Sequence, residues 1–224
     1  MMPAPAAFFS DALTLRLCEA AMMKSEAEVR EVLRAGASFD TRGVHGVTPL
    51  QWSIVDGQLA ATAVMLAAGA SPDVRDDEGH TAMEWGARVE DPELLRLLLA
   101  HGGDANSVTH RGEPVLLAAA GGLNLEHVEL LLDHGARIDA TGILGQTAAM
   151  RLAIMSQFEE VERLLSRGAD HLVVDDTGGT LAYYTQDSRV ESGSIQAAAR
   201  ERVLAVLSGS VSLPVRLPRE DESG

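Results

Sequence analysis

The chain has 224 residues, enough for one or two compact domains or for one elongated array of repeats. Apolar residues make up 46% and charged residues 23%, close to the globular average, which excludes a wholly disordered or collagen-like chain. The formal net charge of −15 argues against binding to nucleic acid, because contact with a phosphate backbone needs clustered positive charge.

The sequence also bears on the cellular compartment. No apolar run approaches the roughly 20 residues of a membrane helix, since Arg96 interrupts even the leucine-rich stretch 94–99. The first ten residues have no Lys or Arg before their apolar residues, so they are a poor secretory signal. The one cysteine, Cys18, cannot form an internal disulfide and is typical of a small buried hydrophobe. We therefore expect a cytoplasmic protein that binds neither nucleic acid nor membrane.

Two ladders of glycine divide the chain into units of 33 residues. The first ladder follows an apolar, helix-like segment each time and consists of Gly36, Gly69, Gly102, Gly135 and Gly168. The second ladder closes a polar connector each time and consists of Gly46, Gly79, Gly112, Gly145 and Gly178. A fixed period of this kind predicts a repeat array, in which each unit buries its apolar face against its neighbours.

The first two units show the predicted elements. In unit 10–42, Ser25 and Glu28 form the pattern of a capping box at the start of a second helix. In unit 43–75, Thr48 suits an N-cap and Pro49 suits the first helical position, so a short helix is predicted over about 49–56. A second helix, predicted over 59–67, ends at the glycine of the first ladder.

The later units repeat this pattern up to the end of the array. They are predicted at 76–108, 109–141, 142–174 and 175–209. The last unit opens in register at Thr180 but reaches its closing glycine, Gly209, eight residues late, and the polar segment 187–194 is the predicted insertion between its two helices. Residues 210–224 contain two prolines and a charged end, so we expect a mobile C-terminal tail.

The repeated unit resembles an ankyrin repeat. The family's Thr-Pro-Leu-His opening appears as Thr48-Pro49-Leu50-Gln51, and its leucine-rich second helix with a Gly-Ala end appears as Val128–Leu132 followed by Gly135-Ala136. Weaker openings begin at Thr81, Thr147 and Thr180, whereas Pro114 stands where threonine is usual in the fourth unit. The resemblance covers about residues 10–209. It implies an all-α ankyrin-repeat solenoid of about six helix-turn-helix repeats, joined by hairpin-like loops.

Patterns that would indicate catalysis or a cofactor are missing from the sequence. It contains no phosphate-binding glycine loop, no His-Glu-x-x-His zinc helix and no Gly-x-Ser-x-Gly elbow. Of the seven histidines, His101 and His134 precede glycines of the first ladder, where an imidazole can bond to the last carbonyls of a helix. The other histidines show no metal-ligand spacing. We therefore predict no catalytic residue, no cofactor and no metal, and a protein that is not an enzyme.

The resemblance implies that the connector tips and the first helices line a concave groove for a partner protein. Carried over position by position, the predicted partner contacts are Val44, His45, Trp52, Val55, Asp77, Glu78, Trp85, Arg88, His110, Arg111, Ile143, Leu144, Arg151 and Ile154. Trp52 and Trp85 occupy the same position one repeat apart, and their side chains either stack on the groove or pack between repeats. Ile143 and Leu144 form an apolar pair at a connector tip, which is typical of a binding patch.

The leading functional prediction is a monomeric, non-enzymatic module that binds another protein. The negative net charge favours a basic partner. Similarity to bacterial ankyrin-repeat proteins of this size implies an antitoxin, an immunity-type inhibitor or an accessory factor for the product of a neighbouring gene. The alternative is a secreted effector or an enzyme whose chemistry lies in the Asp187–Ser194 insertion.

Overall fold

The structure, a computed structural model, describes residues 4–209 and folds them into six pairs of α-helices. The first helices of the pairs are α1 (Ala12–Met22), α3 (Pro49–Val55), α5 (Ala82–Arg88), α7 (Val115–Gly121), α9 (Ala148–Ile154) and α11 (Leu181–Asp187). The second helices are α2 (Glu26–Arg34), α4 (Leu59–Ala67), α6 (Pro92–Ala100), α8 (Leu125–Asp133), α10 (Phe158–Ser166) and α12 (Ile195–Leu207). Short 3-10 turns lie at Pro5–Ala7 and Val44–Gly46, and no strand occurs in residues 4–209. The predicted all-α architecture is confirmed, while the predicted tail, 210–224, lies outside the described residues.

Threonine side chains start four of the first helices. Thr48 forms a full capping box, in which the Gln51 N–H donates to Thr48 Oγ1 at 3.2 Å and the Thr48 N–H donates to Gln51 Oε1 at 2.9 Å. Thr81, Thr147 and Thr180 cap α5, α9 and α11 in the same way from the side chain. Pro114 makes no side-chain cap for α7, yet that helix keeps the seven residues of α3 and α5.

Both predicted glycine ladders have left-handed backbone conformations. The φ angles lie between 84° and 106° in the first ladder, at the helix ends, and between 70° and 88° in the second ladder, at the connector tips. A side chain with a β-carbon is strained in this region, whereas glycine adopts it freely. The 33-residue spacing of the glycines therefore records where each repeat ends a helix and turns a connector.

The described chain forms two compact units that divide between Arg111 and Gly112. In the first unit, α3 packs against α1 and α5, and α4 packs against α2 and α6. In the second unit, α9 packs against α7 and α11, and α10 packs against α12. The first helices thus form one layer of each unit and the second helices form another, with the apolar core between them.

The core contains the residues that the repeat pattern assigns to it. Leu17 and Cys18 of the first helix are fully buried, as are Leu131 and Phe158 in the second unit. The complete burial of Cys18 confirms the prediction of a small buried hydrophobe, and it raises the pKa of the thiol to about 12. No helix in the described part of the chain is long and apolar enough to cross a membrane.

Arginine side chains tie successive connectors together in the first unit. Arg42 Nη1 donates to the Arg75 carbonyl at 2.7 Å, and one repeat later Arg75 Nη2 donates to the Val108 carbonyl at 3.0 Å. Each arginine also donates a hydrogen bond to the carbonyl of the tip glycine in its own connector. In the case of Arg75, Nη1 donates to the Gly79 carbonyl at 2.5 Å. These bonds fix the spacing of the tips that form the candidate site.

The last repeat divides its extra residues between a connector and a helix. Seven residues, 188–194, separate α11 from α12, whereas three residues, 56–58, separate α3 from α4. In addition, α12 has 13 residues where α4 has nine. The prediction that 187–194 is the whole eight-residue insertion is therefore only partly right, because the second helix is lengthened as well.

Leu131→Ala is expected to lower the free energy of unfolding by about 2–5 kcal/mol, because Leu131 is fully buried and its truncation opens a cavity in the core of the second unit. Leu207→Ala, at the half-buried end of the last helix, is expected to cost less. Urea unfolding of both variants measures the difference. Equal losses of unfolding free energy in the two variants would contradict an array whose last repeat contributes less to stability than the repeats before it.

Candidate protein-binding surface

The connector tips and first helices of the first unit surround a cavity of about 260 Å³, which we call the aromatic cavity. Its apolar walls are Phe8, Val47, Trp52, Val55 and Trp85. Its polar lining consists of His45, Asp76, Glu78 and His80. Five of the predicted partner contacts, namely His45, Trp52, Val55, Glu78 and Trp85, thus line one concave site.

Phe8 is a wall residue that sequence reasoning missed. It lies before the first repeat, so the 33-residue register assigns it no position. The Val44 N–H donates to the Phe8 carbonyl at 2.9 Å, which holds the N-terminal segment against the second connector. A β-carbon at Gly43 would lie 2.7 Å from the same carbonyl, so the glycine permits this approach. The adjacent aromatic residues Phe8 and Phe9 are the feature of the sequence that could have indicated this wall of the cavity.

The two tryptophans differ in exposure although they occupy equivalent positions. Trp52 is 2% exposed, so its side chain borders the cavity but packs inside the array and does not stack out on the groove. Trp85 is half-buried and packs beside the His80 ring, with centroids 5.5 Å apart. The Nε1 atoms of both indoles are buried and donate no hydrogen bond within the described residues.

Carboxylates form the polar rim of the aromatic cavity. Asp76 Oδ1 accepts hydrogen bonds from the N–H groups of Glu78 (3.0 Å) and His80 (2.8 Å), which shapes the tip. The Glu78 side chain is 66% exposed, and its Oε2 lies 3.8 Å from His80 Nδ1. Asp77 is equally exposed, and its carboxylate lies 3.8 Å from Arg42. Glu78 is therefore the carboxylate with the most freedom to meet a partner.

Behind this rim, a buried carboxylate joins two repeats. Glu84 is 1% exposed, and both of its oxygens accept hydrogen bonds from His110 at 2.7 Å, one from the backbone N–H and one from Nδ1. Arg88 lies 3.2 Å from Glu84 Oε1, and Arg111 Nε donates to His110 Nε2 at 3.2 Å. Sequence reasoning missed the role of Glu84, and its partner is 26 residues away in the next repeat.

His80, Glu84 and His110 each place one ligand atom within 4.8 Å of the others, a set of types that can hold a divalent metal. The sequence does not indicate this group of possible ligands, because His80 and His110 belong to different repeats and show no metal-ligand spacing. Their rings lie 4.2 Å apart once the repeats pack. Because Arg88 and His110 already satisfy the Glu84 carboxylate, we interpret the cluster as a hydrogen-bonded clamp.

The second unit exposes apolar side chains at its tips and first helices. Ile143 is 64% exposed, Leu144 57% and Ile154 47%, as expected for partner contacts. Tyr183, which sequence reasoning did not select, is 57% exposed on α11. The Leu144 carbonyl accepts from the Asp176 N–H at 3.2 Å, so the tips of the fifth and sixth repeats adjoin each other.

The predicted contact Arg151 is engaged within the second unit. Its Nη2 lies 2.6 Å from Glu113 Oε1, and its Nη1 donates to the Leu117 carbonyl at 3.2 Å. Arg88 and Arg111 are tied to the Glu84 clamp as well, although both remain exposed. The internal bonds therefore leave only part of each of these arginine side chains accessible.

Comparison with known proteins identifies the repeats. Residues 85–175 match the family model described as ankyrin repeats (3 copies). The chain contains ankyrin repeats. A search of curated proteins gave no match.

Solved ankyrin repeat structures share the fold. The structure of the ankyrin repeat protein EF0377 matches with a TM-score of 0.67 at 22% identity, covering 87% of this chain and 97% of that one. An ankyrin repeat domain from Acinetobacter baumannii matches with a TM-score of 0.70 at 22% identity, covering 86% and 97%. A chain in the complex of the predatory endopeptidase Bd0816 of Bdellovibrio bacteriovorus with the immunity protein Bd3460 matches with a TM-score of 0.64 at 20% identity, covering 84% and 97%.

Asp175 organises the sixth connector of the ankyrin repeats. Its carboxylate accepts hydrogen bonds from the Tyr184 hydroxyl, from the Thr177 hydroxyl at 2.7 Å and from the Gly179 N–H at 2.8 Å. These bonds, with that of Tyr184 foremost, hold the pKa of Asp175 well below its ordinary value. The ionised carboxylate therefore keeps the last tip in shape next to Leu144.

Glu84→Ala is expected to lower the free energy of unfolding by about 1–3 kcal/mol, because it leaves the His110 N–H without its buried acceptor. The matched control is Glu90→Ala, an exposed glutamate six residues away in the sequence, which should change stability little. Urea unfolding compares the two variants. A loss at Glu84 no larger than at Glu90 would show that the clamp adds nothing to the ankyrin array.

Tyr184→Phe is expected to make the ankyrin array less sensitive to acid. A carboxyl whose pKa is lowered by folding stabilises the protein above its ordinary pKa of 3.8, and this contribution is lost as the pH falls towards the lower folded value. The difference in unfolding free energy between about pH 6 and about pH 3 should therefore shrink in Tyr184→Phe. Tyr183→Phe, at the exposed neighbouring ring, is the control and should keep the wild-type difference.

Proposed function

We propose that this chain is a non-enzymatic, monomeric binding module that holds a basic partner protein against its connector tips and first helices. Ankyrin repeats are in general scaffolds for protein–protein interaction. The observation that carries the proposal is the exposure of the adjacent tip residues Ile143 and Leu144, at 64% and 57%. Two large aliphatic side chains side by side on a tip are the kind of patch that partner binding covers.

The free energies that side-chain contacts can contribute favour the connector tips over the second helices as the binding face. Covering one large aliphatic side chain contributes about 1.5–3 kcal/mol. The second helices instead present exposed ion pairs, such as Glu93 with Arg96 at 3.6 Å and Glu26 with Arg30 at 2.9 Å. Exposed pairs of this kind are worth about 0–1 kcal/mol each. The apolar tips therefore offer a partner more binding free energy than the charged outer layer does.

The proposed role is that of an immunity-type inhibitor or an accessory factor for the product of a neighbouring gene. The formal charge of −15 supports a basic partner, since opposite charge speeds and orients the encounter. A solved structure with the same fold belongs to a complex between an endopeptidase and an immunity protein. That likeness concerns the fold, and it makes an inhibitor the first role to test.

The alternative, an enzyme or effector with chemistry in the Asp187–Ser194 insertion, gains no support from Ser188 and Ser194, whose hydroxyls are engaged by the backbone. The Ser188 hydroxyl donates to the carbonyls of Ala153 (2.8 Å) and Tyr184 (2.5 Å). The Ser194 hydroxyl accepts from the Ala197 N–H at 3.1 Å and caps α12. Both hydroxyls thus have structural roles that explain their positions.

The test is co-expression with the product of the adjacent gene, followed by size-exclusion chromatography and an affinity measurement. Ile143→Ser combined with Leu144→Ser should weaken the complex about tenfold or more, since two apolar contacts are lost. The control is Ile195→Ser, because Ile195 is 69% exposed at the start of a second helix. Loss of binding at Ile195 with none at the tips would overturn the proposed binding face.

Activity measurements on the same complex separate the proposed roles. An inhibitor should abolish the activity or toxicity of the partner at a one-to-one ratio, while an accessory factor should raise or redirect that activity. A neighbouring product that shows no complex with the intact chain at micromolar concentration contradicts the proposal for that gene pair.

A further inference from the structure

The aromatic cavity of the first unit combines features that suit one kind of side chain. Its walls include the rings of Phe8, Trp52 and Trp85, and its rim carries the carboxylates of Asp76 and Glu78. The residues that line it include no Lys or Arg. A concave site with aromatic walls and acidic groups, and without a Lys or Arg of its own, is complementary to a long cationic side chain.

We propose that the aromatic cavity receives an arginine side chain of the partner protein, an inference that rests on the proposed function. A guanidinium group is planar, weakly hydrated and able to stack on an aromatic face while it donates to a carboxylate, which an ammonium group does less well. The half-buried Trp85 ring offers the face, and the exposed Glu78 carboxylate offers the acceptor. The aliphatic stem of the arginine contacts Val47 and Val55.

The charges at the rim favour Glu78 as the residue that recognises the cation. Both hydrogen bonds at Asp76 Oδ1 come from the backbone of its own tip, so this carboxylate is already engaged. The Asp77 carboxylate lies 3.8 Å from Arg42 of the preceding connector. Glu78 faces only His80 at 3.8 Å among the described ion pairs, and its side chain is 66% exposed.

The indole N–H groups of Trp52 and Trp85 are buried and do not contribute to the accessible surface of the cavity. Trp52 and Trp85 bury Nε1 atoms that have no acceptor within the described residues. A buried donor without a partner is costly, and such groups in proteins call for an explanation. Because a ligand does not reach these buried N–H groups, the arginine site depends on the ring of Trp85 and the carboxylate of Glu78.

The two tryptophans of the chain provide the readout, since both border this cavity. The probe is the pentapeptide acetyl-Ala-Ala-Arg-Ala-Ala-amide, titrated into the full chain while tryptophan fluorescence is recorded. Matched peptides carry norleucine or lysine in place of arginine. A saturable change is expected with the arginine peptide, with affinity about fivefold or more above that of the norleucine peptide.

The variant Glu78→Gln should weaken binding of the arginine peptide about threefold or more, since an exposed charge-assisted contact is lost. Glu90→Gln, at an exposed glutamate outside the cavity lining, is the matched control and should leave binding unchanged. Equal binding of the arginine and norleucine peptides, equal binding of the lysine peptide, or no effect of Glu78→Gln would each overturn the assignment.

The peptide titration tests the arginine site, whereas the co-expression experiment tests the proposed function, so one can give a negative result without the other. If the arginine peptide does not bind while the partner complex forms and depends on Ile143 and Leu144, the arginine site is wrong and the proposed function stands. If the peptide binds in the predicted order and no partner complex forms, the cavity assignment stands and the proposed partner is wrong.

Discussion

The fold depends on one constraint, which is that no helix pair of this chain can bury its apolar face alone. α3 has seven residues and α4 has nine, too short for stable helices in isolation. Each pair becomes stable only when the next pair covers it, at the same residue positions one period later. The 33-residue spacing therefore follows from packing, and a change of register would expose apolar residues in the neighbouring repeats.

The packing of each helix pair on the next also determines where polar side chains can form contacts between repeats. At the fourth position of the helix-opening motif, Gln51 uses its amide to donate to the carbonyls of Val74 (3.1 Å) and His80 (2.9 Å) in the next connector. One repeat later, Glu84 accepts hydrogen bonds from the backbone and ring of His110 in the following connector. Gln51 donates to the next connector and Glu84 accepts from it, so the connectors that follow these two repeats present opposite hydrogen-bonding groups.

The sequence allowed the periodic part of the structure to be predicted well, for physical reasons. The glycine ladders mark left-handed turns, and the threonines mark helix starts, because a few backbone positions admit few residue types. The exposure of Trp52 could not be predicted in this way. It occupies the same repeat position as Trp85, and yet one ring is covered and the other is half-covered. That difference depends on neighbours in space, among them Phe8, which lies outside the repeat.

The two units have different surfaces on the same scaffold. The first unit places aromatic rings and carboxylates around a cavity, and its connectors are tied by Arg42 and Arg75. The second unit exposes Ile143 and Leu144 on a tip, which the backbone bond to Asp176 holds beside the next tip. Since packing and turn geometry fix the buried positions and the tip glycines, the exposed tip side chains can differ between repeats, and they give each unit its own surface chemistry.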